Sequence, residues 1–203
     1  MGLVGALAYA TENAHQSWGA VFLTDSFTAS TQTASLAPAT FAAAAALARL
    51  TLAPLSRTHP VPLLVTGGAV ATVGSLLLAV STSAPIALLG LAIAAAGTAT
   101  LFPTLLSSSL RQVNAERRGR ATSVISTTAY LGFLLGPAYV GLLADHVGLR
   151  GAIVGIAALA VAFTITGAPV SRWAENKVTT KRPRVLSEPD DRSRSRGEQH
   201  GNG

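Results

Sequence analysis

Apolar positions along this chain fall into long uncharged runs separated by short polar breaks, a pattern that predicts membrane-crossing helices. Residues 61–80, 85–106 and 151–170 carry no Asp, Glu, Lys or Arg, and each is near the ~20 residues needed to cross a ~30 Å hydrocarbon core. Residues 121–144 form a fourth uncharged run, longer and interrupted by Gly132, Gly136 and Pro137. Such residues are tolerated in membrane helices because neighbouring helices can satisfy the backbone groups they free. Two further runs complete the pattern. Residues 34–55 are Ala-rich and contain Pro38 and Arg49, and residues 3–23 are apolar at both ends but polar in the middle. The expectation is an all-α integral membrane protein of six transmembrane helices within residues 1–171.

The polar middle of the first run carries the most chemistry. Glu12, His15, Gln16 and Gly19 recur at i, i+3, i+4 and i+7, which places them on one side of a helix. Glu12 then falls near the bilayer midplane, where insertion scales put the cost of a charged side chain at roughly 2.5–3.5 kcal/mol. Retention of a carboxyl there points to a water-filled path, a cationic partner or a protonated acid. A hydrogen-bonded structural acid is the plainer alternative, but intramembrane ionisable groups more often mark pathways. Glu12, His15, Gln16 and the nearby Trp18 are therefore the candidate substrate or proton pathway. His15 by itself is equally consistent with an interfacial residue.

Basic residues supply an independent check on the spans. Arg49 and Arg57 flank the second connection, and Arg111, Arg117, Arg118 and Arg120 flank the fourth, whereas the odd-numbered connections contain only Arg150. Cytoplasmic loops are enriched in Lys and Arg. The asymmetry predicts an even number of spans with both termini cytoplasmic, in a cell (plasma or inner) membrane. It also supports a crossing by the polar first run.

Composition sharpens this reading. Only 12% of the 203 residues are charged, against roughly 25% in a soluble domain. Moreover, residues 172–203 hold 8 of the 15 Lys and Arg. That segment, with Lys181-Arg-Pro-Arg184 and Arg192-Ser-Arg-Ser-Arg196, lacks any apolar period and reads as a disordered basic cytoplasmic tail. The charge placement, between apolar runs and in a tail, does not form the basic face that nucleic acid requires. No cysteine is present, so disulfide and thiolate chemistry are excluded.

Small residues four apart, Gly132 and Gly136, predict close helix packing, with Pro137 a kink or hinge beside them. Gly97 and Pro103 on the fourth run read the same way, and Gly68 reads as lying on a less crowded face. Arg49 near a connection reads as a snorkelling side chain, with membership of an inner-side gate the alternative. No His-Glu-x-x-His or Cys/His cluster is available for a metal, and nothing implies a cofactor. An intramembrane serine hydrolase would need a histidine to reach Ser75, and His15 is the one histidine within a span core. The chain reads as no enzyme.

The stretch Arg117-Arg-Gly-Arg-Ala121, Tyr130-Leu-Gly-Phe-Leu-Leu-Gly-Pro137, Gly141-Leu-Leu-Ala-Asp145 and Gly148-Leu-Arg150 resembles the second six-helix half of the major facilitator superfamily. Glu12-Asn-Ala-His-Gln-Ser-Trp18 is similar to the pattern of its fucose-permease-like branch, although Ser17 stands where that pattern has an acid. Ala53 likewise replaces the Asp that would complete an inner charge lock with Arg49. The resemblance implies secondary, proton-coupled transport of a small solute by alternating access. It also implies a missing N-terminal half or a second copy as partner, beside the lipid bilayer. A six-helix scaffold without transport is the alternative. Because the chain lacks native cysteine, single cysteines at Ser30, Ser83 and His146 should react with an impermeant thiol reagent from outside, and one at Ser56 should not. Labelling at Ser56 but not at Ser30 would invert the topology.

Overall fold

The computed structural model describes residues 1–111 and 113–179, with side chains described to position 167 and at position 169. Every regular element among these residues is helical: α1 (Gly2–Phe27), α2 (Thr31–Ala34), α3 (Leu36–Thr58), α4 (Pro60–Val80), α5 (Ala84–Thr98), α6 (Leu101–Leu110) and α7 (Ala115–Thr179). Four stretches are long and apolar enough to cross a membrane: Thr31–Thr58, Pro60–Val80, Ala84–Leu110 and Ala115–Gly167. At 26 residues α1 has the length but not the apolarity, because Glu12, Asn13, His15, Gln16 and Ser17 occupy its centre. The run expected at 85–106 is broken between α5 and α6 at Ala99 and Thr100, four and three residues before Pro103.

Helix α7 is too long for a single crossing. Its apolar stretch of 53 residues would span about 80 Å as a straight helix. Instead it turns at Gly148, where φ is 73° and ψ 167°, a conformation open to glycine alone. Nothing lies within 4 Å of a Cβ placed there, so backbone geometry and not crowding selects the glycine. The arms fold back on each other, and the Tyr139 hydroxyl on the first donates to the Gly155 carbonyl on the second at 3.3 Å. The second arm continues as helix to Thr179, past the position where composition places the start of a tail. Residues 180–203 of that expected tail lie outside the described residues.

Packing between helices runs along small residues, as expected where lipid removes the usual hydrophobic drive between helices. A Cβ on Gly136 would sit 2.9 Å from the Cα of Ala10, and one on Gly132 would meet Ala6 one turn away. These contacts bring α1 against the first arm of α7. A second seam joins α4 to α5 and α6. There Gly67, Ala71, Gly74 and Leu78 meet Leu101, Gly97, Ala94 and Gly90 in antiparallel order. Gly68 departs from the sequence expectation: it is buried, and a Cβ there would collide with Thr164 on the second arm of α7. Hydroxyls inside the bundle are largely satisfied along their own helices, as with Thr11 on Leu7 O and Thr98 on Ala94 O. This is how Ser and Thr enter an apolar core without leaving an open donor.

The apolar core is divided in two. One cluster gathers Phe22, Leu23, Phe41, Leu91, Val140 and Ile153. The other gathers Val4, Leu64, Leu101, Phe102, Leu105 and Phe163. Between them, near the middle of α1, lie the buried polar residues Thr11, Glu12, His15, Ser75, Thr98 and Thr100.

Gly136→Leu should drive α1 off α7 and lower folded yield sharply in detergent, since overpacking costs about 1–3 kcal/mol or more. Gly119→Leu, where a Cβ meets nothing within 4 Å, should leave the yield unchanged. Equal yields from the two variants, measured by fluorescence-detected size exclusion, would remove the close-packing argument.

Candidate functional site

The polar layer is organised by carbonyls that proline leaves without a helical partner. Pro103 has no N–H to give to Ala99 O, four residues earlier. Arg49 on α3 takes the place of that donor, its Nε donating to Ala99 O at 3.1 Å. The same guanidinium donates through Nη2 to Glu12 Oε1 at 2.6 Å, an ion pair between α3 and α1. One side chain thus joins α1, α3 and the α5–α6 break. Glu12 is nearly sealed at 8% side-chain exposure, while Arg49 keeps 48%.

Pro137 on α7 repeats the arrangement. Its missing N–H would have served Phe133 O, and Asn13 on α1 donates Nδ2–H to that carbonyl at 2.6 Å. One turn further along, Trp18 donates its indole N–H to the Pro137 carbonyl at 3.0 Å. Consecutive turns of α1 therefore hold the first arm of α7 at Pro137, next to the Ala6 and Ala10 seam.

The expected pathway residues separate into two environments. Glu12, His15 and Gly19 are buried, whereas Gln16 is exposed and only reaches Glu12 Oε1 at 3.5 Å. His15 faces the bundle interior, bonded at both ring nitrogens: Nδ1 lies 2.7 Å from Thr11 O and Nε2 lies 2.9 Å from Ser75 Oγ. Because a carbonyl only accepts, Nδ1 carries the proton of a neutral ring, and Nε2 then accepts from Ser75. The separation matches a serine–base pair. Both residues nevertheless have zero exposure, so no substrate reaches the hydroxyl, and the contact serves as a bond between α1 and α4.

Arg49 was expected beside a connection, snorkelling towards water. It lies instead inside α3, nine residues before the helix ends at Thr58, and turns towards Glu12. The reason is the pair of acceptors within reach, a carboxylate and an orphaned carbonyl. Arg117, Arg118 and Arg120 occupy the first turns of α7, where Arg118 Nε donates to Val113 O. Arg117 and Arg120 border a shallow groove floored by Ala121, Val124 and Ile125. Arg150, the lone arginine of the odd connections, donates through Nη1 to Ala79 O and Ser81 O, both at 2.8 Å. It closes the carbonyl end of α4 and stacks over Phe22 and Phe27 at 5.5 and 5.6 Å. Asn13 and Arg150 were not singled out as site residues in the sequence. The signal for Asn13 was available in principle: a proline deep in a run announces an open carbonyl four residues earlier.

Among the described residues no group of three or more His, Cys, Asp or Glu gathers to hold a metal ion. The site is a charge pair and a polar layer, an arrangement suited to binding and releasing a solute or a proton.

No curated protein matches the chain. The family model described as Major Facilitator Superfamily matches residues 1–193. With almost the whole length matched and apolar helices able to cross a membrane, this chain belongs to the Major Facilitator Superfamily, a family of membrane transporters.

Proposed function

We propose that the chain forms one six-helix half of a secondary transporter, moving a small solute by proton-coupled alternating access. The six crossings are α1, α2 with α3, α4, α5 with α6, and the two arms of α7. Both termini lie at the arginine-rich cytoplasmic end, in the cell (plasma or inner) membrane. The fit to the second half of the superfamily, in its fucose-permease-like branch, rests on the resemblance of the α1 and α7 motifs.

A single observation carries this reading. Halfway along α1, Gln16 and Ser17 are exposed, and the half-exposed Arg49 guanidinium lies on the same side of the bundle. Lipid would not cover such a surface, because unsatisfied polar groups in hydrocarbon each cost several kcal/mol. A water-filled path does cover it. Its other wall would come from six further helices, either an N-terminal half or a second copy. The apolar outer faces of α3 (Leu47, Leu50) and of the first arm of α7 (Leu131, Leu134, Leu135) would flank that wall. In superfamily architecture, binding sites lie near the midplane between two such halves. Glu12 is then the residue that takes up and releases the proton, and Arg49 is its charge partner.

Proteoliposomes containing the chain, alone and paired with a six-helix first half, should accumulate at least one member of a labelled solute panel under an imposed proton gradient. Glu12→Gln should abolish the gradient-driven part while inserting normally, and Glu12→Asp should retain part of it. Gradient-driven uptake by the Gln variant equal to that of the native chain would reduce Glu12 to a packing residue. No uptake of any solute in either configuration would favour the non-transporting scaffold.

A further inference from the structure

The Arg49 guanidinium has more donors than the protein uses. Nε serves Ala99 O and one Nη2 proton serves Glu12, while both Nη1 protons and the second Nη2 proton find no acceptor among the described residues. The Arg49 side chain as a whole is half-exposed, and both it and the exposed Gln16 amide reach Glu12 Oε1. Paired N–H groups in one plane match the two oxygens of a carboxylate. Glu12 already neutralises the charge, however, so an anion added to the intact pair would leave a net negative charge in a poorly solvated layer.

We infer that the transported solute is a carboxylate anion, bound at Arg49 together with one proton that goes to Glu12. The inference rests on the transport reading above and names the substrate class of that same site. The balance is one ion pair plus one anion plus one proton, giving a neutral Glu12 acid and an Arg49–carboxylate pair. Charge at the site is unchanged overall. The proton therefore helps the anion to bind, and by reciprocity the anion helps the proton. Arg49 holds its place throughout, because its Nε bond to Ala99 O does not depend on Glu12.

Few other groups can intervene. The apolar runs of α4, α5 and α6 that border the layer contain no titratable residue. On α1, Tyr9 lies one turn away and stacks on Phe102 at 4.2 Å, and His15 is turned to Ser75. On α7, the Tyr130 ring lies 5.5 Å from that of Tyr9. Glu12 and Arg49 are the remaining charged pair.

The test is equilibrium binding, without a gradient, on the full chain in nanodiscs of uncharged lipid. Acetate, benzoate and succinate are the probes, benzamide is the uncharged control, and an indicator dye in weak buffer reports protons. At least one carboxylate should bind with uptake of about one proton per chain, and its apparent Kd should weaken about tenfold per pH unit in the alkaline direction. Benzamide should do neither. Glu12→Gln should bind the same anion with no proton uptake and a flat pH profile, and Arg49→Gln should not bind it. Size exclusion establishes that each variant is folded. Should Glu12→Gln not fold, Glu12→Asp takes its place and should keep the linkage with a shifted midpoint. Binding of none of the carboxylates, binding without proton uptake, or equal affinity for benzamide would overturn the inference. Gradient-driven uptake of a neutral solute would leave transport standing and sink the anion alone.

Discussion

A carbonyl that has lost its helical donor inside a bilayer must find another, since no water is at hand and each open group costs several kcal/mol. Much of this bundle is arranged around that constraint. Pro103 opens Ala99 O and Arg49 closes it; Pro137 opens Phe133 O and Asn13 closes it. In each case the donor comes from a different helix, so satisfying the backbone also fixes tertiary structure. Arg49 is the more consequential of the two, because its guanidinium simultaneously neutralises Glu12 and so makes a carboxyl tolerable in the middle of α1.

The rest of the architecture follows from holding α1 at that position. The small-residue seam at Ala6, Ala10, Gly132 and Gly136 lets α1 lie directly on the first arm of α7, close enough for Asn13 and Trp18 to reach its carbonyls. The second seam, between α4 and the α5–α6 pair, sets the break at Ala99 against the polar layer and not against lipid. At the far end Arg150 draws α1, α4 and α7 together through two carbonyls and two aromatic faces. These contacts surround a polar layer that is exposed at Gln16 and Arg49.

Hydropathy marked the apolar helices well, because uncharged runs near 20 residues have few other uses. It also placed Glu12 at mid-helix, and the Gly132 and Gly136 spacing pointed to a close helix contact without naming α1 as the partner. What hydropathy did not carry was direction around each helix. Gly68 read as uncrowded because nothing in α4 announces that Thr164 faces it across the bundle. Arg49 read as a snorkelling side chain, since its two acceptors come from segments 37 and 50 residues away in sequence. Gln16 and His15 share a periodic stripe yet end on different sides of the buried boundary, as a stripe wider than one contact line allows. The turn at Gly148 was legible only as the gap between two runs; its backbone conformation was not.

Arg49 ties the first, second and fourth crossing segments together, and its contact with Glu12 is worth more than its two halves apart. A double-mutant cycle of Glu12→Gln and Arg49→Gln, read from the unfolding free energy of the full chain in mixed micelles with increasing denaturing detergent, measures this most directly. The account predicts a coupling energy of about 1–3 kcal/mol, the double variant being less destabilised than the sum of the singles. Additive effects, with no coupling between the two positions, would contradict it.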